Sequence, residues 1–215
     1  MDEPEERTEV DEAGRVRRRY RLAGGQVDGE WTAWDGEGWI AQRGHCKDGL
    51  LEGQLVQYDA EGRVEAAFGY RAGKLDGEAL SYDRGRLQMK ARFAGGRQEG
   101  ETVLYGETGQ PSARLSYRAG KLHGPAAWYR ADGSLLRTAQ HAGGQLEGEV
   151  VDYDERGRVT ERAVYRDGRL DGEVIRYGPS GKPKEKQTFK DGQPVGGPVH
   201  YDAGGRAHPV GVGRP

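Results

Sequence analysis

Apolar and polar residues alternate along this chain in a unit that recurs about every 24 residues. The segment YRAGKLDGEALSYD at 70–83 recurs closely at 117–130 and 165–178, and more loosely at five other places. The second glycine of each copy lies at Gly29, Gly53, Gly77, Gly100, Gly124, Gly148, Gly172 and Gly196. Eight copies in register predict a repeat protein in which each unit stacks on its neighbours.

Each repeat contains a longer and a shorter predicted strand. Residues 63–70 (RVEAAFGY) alternate with a period of two, whereas residues 173–177 form a shorter run that ends in an aromatic residue. Gly and Asp occupy the connections, where they favour tight turns, and no 3.6-residue apolar period predicts a helix. We therefore predict an all-β fold: a single elongated, twisted antiparallel β-meander of about eight 24-residue hairpin repeats, with sixteen strands.

An aromatic residue follows each of these glycines by five positions and predicts a stacked structural ladder. The ladder consists of Trp34, Tyr58, Tyr82, Tyr105, Tyr129, Tyr153, Tyr177 and Tyr201. We expect it to lie on the apolar face of the longer strands, exemplified by Val64, Ala66, Phe68 and Tyr70. We expect one further apolar column on that face: Val56, Leu80, Val103, Ala127, Val151, Ile175 and Val199.

The opposite face of the longer strands carries many basic residues and the single acid Glu65. Candidate partner-binding residues there are Arg86, Arg92, Arg114, Arg158 and Arg162. Such a stripe would attract an acidic protein, nucleic acid or anionic lipid. The alternative is a solvated sheet face whose charges pair with acids in the turns, and the sequence leaves both open.

One column varies sharply between repeats and precedes the ladder by one position, so it should face away from the ladder. Its members are Ala33, Gln57, Ser81, Leu104, Trp128, Asp152, Arg176 and His200. We take Trp128, Asp152 and Arg176 as partner contacts, because Trp and Arg are favoured interface anchors. Trp31 joins them, and with Leu55, Ala79, Ala126, Val150 and Val174 it should form an apolar strip beside the basic stripe. An unconstrained surface is the alternative interpretation.

The spacing and residue types of the repeats resemble MORN repeats, and more closely their bacterial variant. That variant has the pattern Y-x-x-G-x-L-x-G-x-x-x-x-Y-D-x-x-G, which residues 70–85 match except that the final turn, Asp83-Arg84-Gly85, lacks one residue. The resemblance covers about residues 10 to 205. It implies a scaffold without enzymatic activity. Bacterial proteins with this variant are commonly antitoxin or immunity components that bind and neutralise a toxin, whereas other MORN arrays are scaffolds, some proposed to bind acidic lipids. The motif residues are structural, so no binding site is implied.

Composition and chemistry narrow the function further. The chain has 215 residues, 32% charged, with a formal net charge of −2. No signal peptide or membrane span is visible, so we expect a cytoplasmic protein. The single cysteine, Cys46, cannot form an internal disulfide. No histidine lies at metal-ligand spacing and no catalytic motif appears, so we predict no enzyme, no metal and no cofactor.

These observations give three hypotheses for the function. The first is an antitoxin or immunity protein that occludes a partner toxin or effector protein. The second is a scaffold on an anionic membrane surface or in an assembly, and the third, less favoured, is nucleic-acid binding. We expect residues 1–9 to be an acidic tail, disordered or folded back onto the Arg-rich strand, residues 10–205 to form the repeat domain, and residues 206–215 to form a Gly/Pro-rich tail or cap. The oligomeric state is open.

Overall fold

The computed structural model describes residues 5 to 209, which form strands and turns in two compact units. The first unit extends to Tyr105 and the second begins at Gly106. The first unit contains β1 Glu5–Val10, β2 Val16–Ala23, β3 Gln26–Val27, β4 Gly29–Trp34, β5 Ile40–Lys47, β6 Leu50–Leu51, β7 Gly53–Tyr58, β8 Val64–Arg71, β9 Lys74–Asp83, β10 Arg86–Ala94, β11 Arg97–Gln98 and β12 Gly100–Tyr105.

The second unit continues the same hairpin pattern. It contains β13 Pro111–Arg118, β14 Lys121–Tyr129, β15 Leu135–Ala142, β16 Gln145–Leu146, β17 Gly148–Tyr153, β18 Val159–Arg166, β19 Arg169–Tyr177, β20 Pro183–Lys190, β21 Gln193–Tyr201 and β22 Ala207–Pro209. Across residues 5 to 209 there is no helix, and hence none long and apolar enough to span a membrane.

Within each unit, strands that follow one another in the chain pair antiparallel. In the first unit Leu55 lies opposite Phe68, which in turn lies opposite Ala79. Four strands have only two residues, and each precedes a longer strand. The other eighteen are the sixteen predicted strands together with β1 and β22. The prediction of an all-β antiparallel meander of hairpin repeats is confirmed.

Both ends of the predicted repeat domain carry additional strands. In place of the disordered tail expected at residues 1–9, Glu5–Val10 form β1, which pairs with the Arg-rich strand β2. This is the folded-back alternative, and the Arg19 guanidinium lies 3.7 Å from the Glu6 carboxylate. At the other end, Ala207–Pro209 pair with β21. The rest of both expected tails, residues 1–4 and 210–215, lies outside the described residues.

Hydrogen bonds between successive hairpin turns connect each repeat to the next. The Gly73 N–H donates to the Leu51 carbonyl at 2.8 Å, and the Gly168 N–H donates to the Leu146 carbonyl at 2.9 Å. The Glu52 carboxylate accepts the Ala72 N–H at 2.8 Å. Because these bonds join positions about one repeat apart, they stabilise the array through contacts between neighbouring repeats.

Four turns at the opposite ends of the strands follow an Asp-x-x-Gly-Arg pattern, at 11–15, 59–63, 154–158 and 202–206. Asp154 Oδ1 accepts the N–H groups of Arg156 and Arg158, both at 2.9 Å, and its Oδ2 accepts Arg158 Nε at 2.8 Å. The same arrangement joins Asp59 to Arg63. The Arg158 guanidinium and these N–H groups stabilise the ionised carboxylate, so they lower the pKa of Asp154.

The two faces of the sheet differ in side-chain size. The alanine face carries small, buried residues in the middle of the strands: Ala66, Ala79 and Ala91 in the first unit and Ala113, Ala126, Ala139 and Ala163 in the second. The tyrosine face carries the aromatic ladder: the Arg19 guanidinium lies 5.8 Å from the Trp34 ring centroid, and Arg43 shares a cavity with Trp34 and Tyr58.

Three sequence-based face assignments are therefore wrong. The ladder lies with the basic residues: the Arg19 guanidinium lies over the Trp34 ring, and Arg43 lines a cavity with Trp34 and Tyr58. The column from Val56 to Val199 also lies there, as shown by the pairing of Val151 with Arg162. The Trp31-to-Val174 column lies on the alanine face, where Val150 pairs with Ala163.

A β-bulge in the hairpins explains part of this error. Trp128 lies opposite Arg137, but Tyr129 lies opposite Leu135, so Leu136 is an extra residue without a cross-strand partner. Directly opposed residues share a face. Leu135 therefore lies on the tyrosine face, although uninterrupted alternation along β15 would place it on the alanine face.

Candidate functional site

A trough of about 490 Å³ lies on the alanine face of the second unit, across β14, β15, β17 and β18. Its lining residues are Trp128, Leu136, Arg137, Ala139, His141, Leu146, Val150, Asp152, Glu161, Ala163 and Tyr165. The floor consists of small side chains, with Ala139 only 3% exposed. The large side chains of Trp128 and Tyr165 contribute to the walls. Small residues between larger neighbours therefore create the depression.

Charged side chains on neighbouring strands form ion pairs at the trough. Arg137 makes a bidentate contact with Asp152 on the neighbouring strand, with 2.7 Å between Nη2 and Oδ2. Arg176 lies between two carboxylates, 2.9 Å from Glu161 and 3.0 Å from Glu185. The hydrogen bonds that Arg137 donates to the Asp152 carboxylate raise the pKa of Arg137. Each pair is partly exposed, so it adds little to stability, at most about 1 kcal/mol, but it fixes the position of its donors and acceptors.

His141 gives the trough an unusual wall. Its column carries Tyr117 and Tyr165 in the adjacent repeats, whereas His141 places a smaller, polar ring there. The ring centroid lies 6.4 Å from that of Trp128. Nδ1 is buried and has no hydrogen-bond partner among residues 5 to 209. Burial lowers the pKa of His141, which favours the neutral imidazole near pH 7.

The predicted partner-binding residues do not form one site. Trp128 and Asp152 both line the trough. Arg176 does not line it but forms an ion pair with Glu161, which does. Trp31 lies on the alanine face of the first unit, where its indole covers Gly44 so closely that a Cβ on Gly44 would be 2.8 Å from Trp31 Nε1. Sequence analysis missed His141, Leu146 and Tyr165 as lining residues, although the aromatic-to-histidine change at 141 was visible.

The predicted basic residues lie elsewhere. Arg92, Arg114 and Arg162 are on the tyrosine face, where they pair across the strands with Glu78, Ala127 and Val151. Arg86 and Arg158 lie at turns, where Asp83 and Asp154 contact them. These five arginines are thus separate from the trough.

The basic stripe is interrupted by a column of glutamates that the sequence analysis did not place. Lys90 lies 2.6 Å from Glu78, and Arg162 lies 3.4 Å from Glu149. Lys186 and Glu173 form a third pair at 2.5 Å. Each of these glutamates directly follows the second glycine of its repeat, so the signal was present in the sequence. The tyrosine face is therefore a surface of mixed charge.

Potential metal ligands are not clustered in the described part of the chain. Residues 5 to 209 contain no group of three or more His, Cys, Asp or Glu side chains placed to hold an ion. The sole cysteine, Cys46, is buried on the alanine face, and its burial raises the pKa of the thiol. What the trough offers is an apolar floor, aromatic walls and fixed charged groups, which suits binding.

Comparison with known families identifies one of the repeats. A family model described as a MORN repeat variant matches residues 170–191. This match supports a MORN-repeat family and a repeat-based binding scaffold. No curated protein matches the chain.

Several solved structures of toxin complexes contain chains with weak similarity. The crystal structure of TcdB2-TccC3-Cdc42 has 15% identity and a TM-score of 0.24. The Photorhabdus luminescens Tc holotoxin pore with a mutated TccC3 has 15% identity and a TM-score of 0.25. In each case 92% of this chain covers 13% of the other chain, so this chain spans a small part of their length. At these TM-scores the similarity supports no inference about function.

Proposed function

We propose that this protein is a non-enzymatic binding protein that holds a protein partner in the trough of the second unit. The observation that carries the proposal is that Trp128 and Asp152, two members of the variable column, line one depression with an apolar floor. Variable positions on a uniform repeat scaffold are where recognition is expected. The MORN-repeat match at residues 170–191 is consistent with a binding scaffold.

The trough suits a side chain from a folded protein. An inserted apolar group would displace water from the Ala139 floor and contact the Trp128 and Tyr165 rings, a setting typical of interface hot spots. The Arg137–Asp152 pair at its rim would offer oriented hydrogen-bond donors and acceptors. Because strand pairing already orders these groups, binding would cost little conformational entropy.

We further propose that the partner is a toxin, which the protein neutralises by occlusion. The support is the resemblance of the repeats to the bacterial MORN variant. A preformed sheet surface could cover an active site or substrate groove without any chemistry of its own.

The test has two stages. Tagged protein is captured from its native lysate after nuclease treatment, and a stoichiometric partner is expressed in a new host alone or with this protein. We expect growth arrest by the partner alone and rescue by the wild type. Trp128→Ala should weaken the complex at least tenfold, measured by calorimetry, since truncation of an aromatic hot spot costs about 2 kcal/mol or more.

Arg156→Ala provides the matched control, because Arg156 is exposed in a turn of the same unit and does not line the trough. It should bind like the wild type. A partner that is harmless alone would contradict the toxin proposal. Equal binding of Trp128→Ala and Arg156→Ala would contradict the trough as the binding surface.

A further inference from the structure

A second cavity, of about 470 Å³, lies on the tyrosine face of the first unit, across β4, β5 and β7. We call it the tryptophan pocket; its lining residues are Trp34, Gly38, Trp39, Ile40, Arg43, Tyr58 and Gly62. Three aromatic rings and one guanidinium thus surround a single space. The pocket shares no residue with the trough.

Trp39 occupies a position where four of the seven other repeats carry arginine and none carries an aromatic residue. Arg63 and Arg158 at the equivalent position bond the turn aspartate at 2.8 Å. In this repeat Asp35 Oδ1 instead accepts the N–H groups of Glu37, Gly38 and Trp39 at 2.9 to 3.0 Å. The turn is therefore complete without a side-chain partner at position 39, and the tryptophan is not needed to form it.

The Trp39 side chain lies in an energetically unfavourable position, because it exposes apolar surface to water. It is 57% exposed, so a large apolar ring faces water at the mouth of the pocket. The turn does not need this aromatic ring, and an exposed residue without a local structural purpose is a candidate for a functional position. Trp, Tyr and Arg are also the residue types enriched in interface hot spots.

The charge at the pocket is positive. Arg43 lies opposite Thr32 and Val56, neither of which is acidic, and it forms no ion pair within residues 5 to 209. Arg19 lies over the Trp34 ring at 5.8 Å but is 3.7 Å from Glu6, so the unpaired cation at the pocket is Arg43. Oδ1 of the turn residue Asp35 accepts three backbone N–H groups, and Asp35 is not among the residues that line the pocket. An incoming carboxylate would therefore find a free guanidinium beside aromatic rings.

We propose that the tryptophan pocket anchors an acidic segment of a partner protein. An apolar side chain of that segment lies against Trp39 and Tyr58, and an adjacent carboxylate pairs with Arg43. This goes beyond the proposed function, because it adds a binding site on the other unit and on the other face.

Nucleic acid fits this pocket less well than an acidic peptide. A single strand needs a continuous row of free cations for its phosphates. Beyond the pocket, Lys90, Arg162 and Lys186 on the tyrosine face are each paired with a glutamate. Arg43 is a single cation beside three aromatic rings, which matches one or two carboxylates rather than a row of phosphates.

A displayed library of random dodecapeptides tests the proposal on the full-length protein. Peptides are selected on the wild type and then measured against Trp39→Ala, Arg43→Glu and Trp128→Ala by fluorescence anisotropy. We expect a class of peptides that combine acidic and apolar residues, lose at least tenfold in affinity on Trp39→Ala, and keep their affinity on Trp128→Ala. Selection on Arg43→Glu should enrich basic peptides in place of acidic ones.

Trp39 and Arg43 are surface residues, and circular dichroism with thermal unfolding should show that both variants remain folded. If no selected peptide depends on Trp39 and Arg43, or if the dependent peptides lack acidic residues, the proposal is wrong. Displacement of those peptides by a ten-nucleotide oligo-dT at lower concentration than by unlabelled peptide would instead make this a nucleic-acid site. If no complex depended on Trp128, that result would contradict the proposed function of the trough and would leave the proposal for the tryptophan pocket unaffected.

Discussion

At the scale of single residues, His141 shows how one change in a repeat alters both packing and surface. The neighbouring repeats place the tyrosines Tyr117 and Tyr165 in this column, and their apolar rings can cover the alanine face. Histidine fills less space and buries a nitrogen that has no partner among the described residues. A buried polar atom without a hydrogen bond costs about 1–3 kcal/mol. The trough thus exists at the expense of stability.

We expect His141→Phe to raise the free energy of unfolding by about 1 kcal/mol at pH 7, because it replaces the unpaired nitrogen with an apolar ring edge. The gain should increase as the pH falls. Burial lowers the pKa of His141, so the unfolded chain binds a proton more readily than the folded one. The wild type should therefore lose stability below about pH 6.5, the ordinary histidine value, while the variant should not lose this contribution.

Urea unfolding of both proteins at pH 7.5 and pH 5.5 measures this difference. His45→Phe is a suitable control, since His45 also lies on a strand but is exposed. A stability difference between wild type and His141→Phe that is the same at both pH values would show that the histidine is not buried in its neutral form.

At the scale of the elements, the Asp-x-x-Gly-Arg turns determine where the hairpins that contain them reverse. One carboxylate satisfies two backbone N–H groups and orients the arginine four residues later, as Asp154 does for Arg158. Gly157 adopts φ 73°, a left-handed conformation that favours glycine. Sequence, turn geometry and charge agree at these positions, which is why the turns and the repeat period could be predicted.

We expect Asp154→Asn to lower the melting temperature at pH 7, because the amide cannot form the charged pair with Arg158. The pKa of Asp154 is lowered in the folded state, so its contribution is complete above the unfolded value near 4 and is lost as the pH falls through the folded value. The difference from wild type should therefore shrink between pH 4 and pH 2. Differential scanning calorimetry at pH 7, 4 and 2.5 tests this.

Glu155→Gln, in the same turn, removes an equal charge from an exposed side chain that makes no side-chain hydrogen bond in the described structure. It should leave the melting temperature close to that of wild type. If both variants lose the same amount at pH 7, the effect comes from net charge rather than from the turn.

The faces of the strands were harder to predict than the strands themselves. Alternation fixes which residues of one strand share a face, but not how that strand is phased against the next. The bulge at Leu136 shifts the phase by one residue, so counting across it exchanges the two faces. Pairing in the structure resolves the phase: Trp128 faces the same side as Arg137, and Tyr129 faces the same side as Leu135.

The difficulty of assigning residues to a face also explains why only some of the candidate residues lie at the trough. Trp128 and Asp152 were identified from variability between repeats, which does not depend on the faces. The arginines were grouped with them by a face assignment that the structure does not support. Trp39 drew no attention, because its significance depends on its exposure and on the cavity beside it.

At the scale of the whole molecule, opposite charges on the tyrosine face are matched within each unit rather than segregated. In the first unit Lys90 pairs with Glu78, and in the second Arg162 and Lys186 pair with Glu149 and Glu173. A surface of this kind has little long-range field at physiological salt, where the Debye length is about 8 Å. The structure therefore gives less support to an anionic membrane as partner than the count of basic residues on the longer strands did.

Because these cations are paired with glutamates, we predict that removal of the glutamates alone creates binding to anionic surfaces. The double variant Glu149→Gln and Glu173→Gln leaves Arg162 and Lys186 of the second unit without their partners and should bind vesicles that contain phosphatidylserine. Each freed Lys or Arg near an anionic membrane contributes about 1 kcal/mol, so two should raise the partition coefficient roughly thirtyfold. Vesicle co-sedimentation at 50 and 150 mM salt compares the variant with wild type, which we expect to bind weakly at both. Strong, salt-sensitive binding by the wild type would show instead that the paired cations remain available, and would restore the membrane scaffold as the leading hypothesis.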